Sequence, residues 1–224
     1  MQRPKFNDPN NASGFSLFEL IIAMALTIVI MGVASTLLAN AFKVRHREES
    51  RTDAIADVQR GINIMSHEIA VGGYGFDNPS NGLVPGDSSN STIRVLANLN
   101  RYTNEAFKYT IADPGEDIKY QVDTTGNTNF LVRYDRFGPA ATDTTVLANR
   151  IDTLSITYFD AANATLDVAG TPSLVASAAS VRITIGVNLP AVGTPGSPGY
   201  QPATTVQLTS DVALRNKKET TDTY

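Results

Sequence analysis

Apolar positions along this chain change their period twice, and each change marks a boundary. Residues 1–13 are polar with no periodicity. From Leu20 to Phe42 there is no charge, no proline and one glycine, Gly32. A helix from Phe15 to Phe42 would measure roughly 42 Å at about 1.5 Å per residue. That exceeds a bilayer hydrocarbon core of about 30 Å. Beyond it, Ile55, Val58, Ile62, Met65 and Ile69 recur at spacings of three and four. Asp53, Asp57, Arg60, His67 and Glu68 fall mostly off that stripe, so the helix continues as an amphipathic one with an apolar seam for a sheet. Gly72 and Gly73 are its stop signal.

After residue 73 the period becomes two. Residues 74–90 read as a loop, and Ile93 and Val95 alternate beyond it. Ile118, Tyr120 and Val122, the turn residues Thr124 to Asn127, then Phe130, Val132 and Tyr134 spell a hairpin. Leu154, Ile156 and Tyr158 predict a further strand. Val181 to Val187 give the cleanest alternation in the chain, and Thr205 to Leu214 predict a last strand. The segments 161–179 and 190–203 read as long loops. The second, with four prolines and three glycines, is expected to be the mobile tip of a hairpin. The tail 217–224 is polar. A long helix followed by strands predicts an α+β architecture with the helix packed on an antiparallel β-sheet.

Composition narrows the function. At 224 residues the chain suits one domain plus an anchor, and 42% hydrophobic with 18% charged residues argues against wholesale disorder. The net charge of −4 gives no support to a nucleic-acid footprint, which needs a clustered basic face. There is no cysteine, so thiol catalysis, thiolate metal sites and disulfides are excluded. His46 and His67 lack a second ligand at metal spacing and read as solvated surface. Asp113, Glu116 and Asp117 around Pro114-Gly115 read as a turn with exposed acids rather than a cation site, as do Asp77, Asn78 and Asp87. No nucleophile–base pair, phosphate loop or dinucleotide fingerprint occurs. The sequence therefore predicts no enzyme, no cofactor and no metal site.

The junction of leader and apolar run holds the sharpest signal. Gly14 precedes Phe15, Glu19 follows, and the apolar run begins at once. A signal-peptide core of roughly 7–15 apolar residues is shorter than this run. A carboxylate at the edge of such a helix costs a few kcal/mol unless it is paired or reaches water.

These residues resemble the processing signal of type IV pilin-like proteins. The resemblance implies cleavage between Gly14 and Phe15 by a prepilin peptidase, N-methylation of Phe15, and a subunit-assembly role for Glu19. Cleavage would leave an ammonium on Phe15 about one turn from Glu19, in this chain or a neighbour. Snorkelling of the carboxylate to water is the plainer alternative. Loss of Arg3, Lys5 and Asp8 would make the chain one unit more acidic. Positive residues at the two ends do not by themselves favour a cytoplasmic N-terminus, since Lys43, Arg45, Arg47 and Arg51 follow the run. The processing signal does favour it, because the peptidase cuts on the cytoplasmic side.

Arg51 to Ala70 with Gly72-Gly73-Tyr74-Gly75-Phe76, and Val206 to Asn216, resemble PilW-type minor pilins. The full expectation is a pilin fold: a cleaved leader 1–14, a transmembrane and assembly helix 15–42, its amphipathic half 43–72, a globular β-domain 73–216 and the tail 217–224. The implied function is that of a minor subunit that helps start pilus assembly at or near the tip. The implied partners are other minor pilins, the major pilin, the prepilin peptidase/N-methyltransferase and the inner-membrane assembly platform, with no nucleic acid. Residence would be the bacterial inner membrane, then the surface pilus. The alternatives are a J-like minor pseudopilin of a type II secretion system and an uncleaved single-pass anchored protein.

Overall fold

The computed structural model describes residues 14–76, 80–100, 110–126, 128–140 and 143–216. The leader before Gly14, the pair Asp77 and Asn78, Asn127 and the tail lie outside the described residues.

Helix α1 runs from Leu17 to Val71 without a break. Ser16 is its N-cap, and its hydroxyl accepts from the Phe18 amide at 3.3 Å. Only the second half is buried. Val58, Met65 and Ile69 are inaccessible to solvent and Ile62 nearly so. The seam differs from the expected stripe at one end, where Ala54 is buried and Ile55 faces out. At about 3.6 residues per turn, Ala54 lines up with Val58 and Ile62 at spacings of four. Gly61 lies on the same face. A Cβ there would stand 2.8 Å from a Leu131 methyl, so glycine permits the close approach of helix and sheet.

As expected, the helix packs on antiparallel strands, but these divide between two four-stranded sheets. The first has the order β1 (Thr92–Leu96), β2 (Asp117–Asp123), β3 (Phe130–Asp135) and β4 (Thr144–Ala148). The second runs β6 (Thr165–Leu166), β5 (Thr153–Phe159), β7 (Ser180–Leu189) and β8 (Thr204–Ala213). α1 packs on β7 and β8 of the second sheet and reaches β4 of the first. The two sheets share one core, in which Tyr120 and Tyr158 are the largest fully buried side chains. Across the junction, the Ile156 amide donates to Asn90 O and Tyr158 Oη donates to Ser89 O.

The expected hairpin β2–β3 forms, but its faces differ from the alternating runs: Ile118, Tyr120 and Val122 stand opposite Asp135, Arg133 and Leu131, so Phe130, Val132 and Tyr134 take the other face and Tyr134 is exposed. Strand β4 is invisible in the sequence pattern for a physical reason. A register shift at Leu131/Val132 accompanies burial of Leu147 and Ala148 in succession, which destroys the alternation. The segment 161–179 also holds more structure than a loop. It contains β6 and a 3-10 turn at Pro172–Ser177 that buries Val175.

Candidate functional site: the exposed helix and its junction with the domain

From Gly14 to Ala39 every residue is exposed. The apolar side chains of this stretch therefore have no covering partner within the described residues. One helix, α1, is long and apolar enough to cross a membrane, and its apolar window is not buried at all inside the molecule. Two of its hydroxyls are turned back on the helix. Thr27 Oγ1 donates to Ala23 O and Thr36 Oγ1 to Val33 O, both at 2.7 Å. Such back-bonding offsets the cost of placing a hydroxyl among lipid or packed helices.

At the start of the helix, Gly14 is exposed, and a Cβ added to it would meet nothing within 4 Å among the described residues. Packing among the described residues therefore gives no reason for glycine there. Phe15 is 88% exposed. Glu19 completes a capping box: its Oε2 accepts from the Ser16 amide at 3.1 Å, one residue from Phe15. The carboxylate thus satisfies an otherwise orphaned donor at the helix N-terminus and sits favourably in the helix dipole. Residue spacing alone suggests a charge pair; the capping role needs the helix start to be placed at Ser16.

At the other end of the exposed stretch, Arg47 is buried. It donates from Nη1 to Pro190 O and from Nη2 to Pro202 O, each at 2.6 Å. These carbonyls stand at the two ends of the 190–203 loop. The segment expected to be a mobile tip is therefore held to α1 at its base. It also closes on itself, with Val192 and Gln201 exchanging amide hydrogen bonds at 2.9 Å. Its outer part touches the helix, since a Cβ on Gly199 would lie 2.8 Å from Asn40 Oδ1. Arg47 falls in a run of charges that reads as surface, and nothing in that run signals burial. Its neighbour Arg45 stays at the surface, paired with Glu49 at 2.8 Å.

The far end of α1 is held differently. Asn216 Nδ2 donates to Val71 O and Gly72 O, at 3.1 and 3.0 Å. The two stretches that carry the minor-pilin resemblance therefore meet in space. Gly72 is the C-cap without a left-handed conformation; Gly73, at φ +76°, makes the reversal. A cleft of about 420 Å³ opens beside them, lined by Ser66, His67, Tyr74 and Arg215 among others.

The acidic turn at Pro114-Gly115 corrects an expectation. Glu116 and Asp117 are buried, not exposed. Glu116 accepts amide hydrogen bonds from Leu99, Asn100, Ala112 and Asp113, which ties two loops together. Asp117 is bidentate with Arg94, both bonds 2.7 Å. Arg94 also binds Asp87, and that hydrogen bond holds the Asp87 carboxyl below its ordinary value. Both His46 and His67 are exposed. Among the described residues, no group of three or more His, Asp or Glu side chains is placed to hold a metal ion. A second network joins helix to sheet: Tyr120 Oη and Arg133 both bind Glu68, and burial pushes the Tyr120 hydroxyl pKa well up. Each of these charged groups is matched by a partner, which is how a buried ion pair is kept from destabilising a core.

Residues 9–35 match the prokaryotic N-terminal methylation motif. No curated protein matches the chain, and no solved structure does. The motif supports a type IV pilin-like or pseudopilin-like protein, and implies processing by a prepilin peptidase and association with a membrane. The α+β fold, with its long N-terminal helix and antiparallel sheets, is consistent with the pilin fold.

Proposed function

We propose that this pilin-like chain is a minor type IV pilin, a structural subunit that helps initiate pilus assembly at or near the tip. In this reading the peptidase cuts between Gly14 and Phe15, Phe15 is N-methylated, and residues 15–42 pass from the inner membrane into the filament. The observation that carries it is a glycine with no packing role among the described residues, placed just before a capped helix whose apolar first half is exposed. A protease that reads an extended segment needs an accessible, small residue, and Gly14 is both.

Lipid covers the apolar surface of 15–42 while the chain is in the membrane. After extraction only other helices can do so, and lateral helix packing replaces lipid contact. Glu19, bonded to the amide that follows Phe15, can share the new charge of its own N-terminus or bind that of a neighbour. Pairing with a neighbour would set the axial register between subunits. Strand β8 offers a second surface. The Leu214 amide donates to Ala179 O, so by the alternation of an antiparallel ladder the backbone groups of Thr205, Gln207, Thr209 and Asp211 point away from β7. No strand pairs with that edge among the described residues, and it suits docking to other pilins.

The test is mass spectrometry of the N-terminal peptide in sheared surface filaments. A peptide beginning at N-methylated Phe15 is the expected result, and Gly14→Leu should leave the full-length precursor in the membrane. Recovery only from the membrane fraction with residues 1–14 attached would overturn the reading in favour of an uncleaved anchored protein. Recovery of the processed form from a secretion pseudopilus would instead assign the chain to that system.

A further inference from the structure

We infer that the 190–203 loop is a membrane-contact element, seated on the outer surface of the bilayer from which α1 emerges. The inference rests on the reading that the first half of α1 spans that bilayer.

Depth is the first argument. Two polar residues, Glu19 and Asn40, bracket the apolar helix. Their separation of 21 residues is about 32 Å along the axis at about 1.5 Å per residue. With an ordinary tilt of about 20° this matches a hydrocarbon core of about 30 Å. Placing Glu19 at the inner boundary puts Asn40 at the outer one. Gly199, in the outer part of the loop, packs on Asn40. Arg47, which holds the loop's base, lies seven residues further along, about 10 Å above that boundary. The loop therefore hangs from the Arg47 level down to the edge of the hydrocarbon.

Chemistry is the second. The fourteen residues 190–203 contain no acidic, basic or histidine side chain. Four prolines remove four backbone donors that would otherwise need water. Several of the remaining groups are satisfied inside the loop. Val192 pairs with Gln201, the Ser197 amide and hydroxyl both donate to Thr194 O, and the Tyr200 amide donates to Ser197 O. A segment with few open polar groups can enter the headgroup layer at low desolvation cost. Tyr200 adds an amphipathic ring suited to that layer. Lys43, on the helix turn after Asn40, is exposed, as contact with the phosphates of an anionic surface requires.

The absence of cysteine makes the test direct, because one introduced thiol can be labelled uniquely. The full chain is reconstituted in phosphatidylethanolamine–phosphatidylglycerol vesicles as three single-cysteine variants carrying an environment-sensitive fluorophore. Thr194→Cys reports the loop, Ala34→Cys the helix, and Ala161→Cys the end of the domain remote from the membrane. Quenching by headgroup-proximal spin-labelled lipid is then compared. The expected result is quenching at 194 severalfold stronger than at 161, with an emission blue shift, and deep burial at 34. If 194 behaves like 161 while 34 is buried, the loop stays in water and the inference fails with the span intact. If 34 is itself unquenched by lipid labels at any depth, the spanning reading fails and the inference falls with it.

Discussion

Glu19 caps α1 through the Ser16 amide, and in the proposed function its charge also serves subunit assembly. These roles separate in Glu19→Gln, because glutamine still completes a capping box but has no charge. We expect Glu19→Gln to insert and to be cleaved normally, yet to be found in filaments far below the wild-type level on immunoblots of sheared pili. Wild-type incorporation would mean that the cap alone is needed. Gly73 illustrates a demand of the backbone instead. Its φ of +76° and a Cβ position 2.0 Å from Ser80 O leave no room for a side chain. Gly73→Ala should destabilise the domain by about 1–3 kcal/mol or more, seen as a lower midpoint in thermal unfolding.

Between elements, Arg47 links the helix to the β7–β8 hairpin. Its guanidinium is buried and both of its partners are main-chain carbonyls, so the contact depends on hydrogen-bond geometry rather than on a countercharge. Arg47→Ala leaves those two carbonyls without these donors, at a cost of about 1–3 kcal/mol. The expected readout is faster hydrogen exchange at the Val192 and Gln201 amides, while the amides of β2 and β3 exchange as before. Unchanged exchange at Val192 and Gln201 would show that the loop holds its own shape. The helix itself divides by the same logic. Its second half packs closely because Gly61 lets it approach β3, whereas its first half has nothing to pack on among the described residues.

The two sheets and α1 share one core without disulfides, so ion pairs at the surface tune rather than create the stability of the domain. Hydrogen bonds from arginine hold both Asp87 and Asp211 below their ordinary value of 3.8. A carboxyl depressed in the folded state binds fewer protons there than in the unfolded chain. Its contribution is therefore complete above about pH 5 and is lost as pH falls through the folded value. Denaturant titrations should find stability flat in this respect at neutral pH and falling in that acid range. Asp87→Asn should reduce the acid-dependent loss, with the change confined to the same window.

Uniform periods are legible in the bare chain. They reveal the helix, its apolar half and the long strands β7 and β8, because in each of these one face meets one environment throughout; the β2–β3 hairpin is legible from its turn, but the buried face of β3 is not, since Leu131 and Val132 are buried side by side. The methylation motif over residues 9–35 is legible too, since a processing signal is read by an enzyme from an extended chain and needs no tertiary structure. Other features exist only once the chain is folded. The strands split into two sheets, and Leu147 and Ala148 are buried side by side where a register shift erases the pattern of β4. Glu116 and Asp117 turn inward because amides and an arginine, several of them distant in sequence, are there to receive them. Arg47 leaves a run of surface charges and is buried against carbonyls 143 and 155 residues away. Local sequence cannot encode such a contact, because the burial of a charge depends on partners that only the folded chain brings within reach.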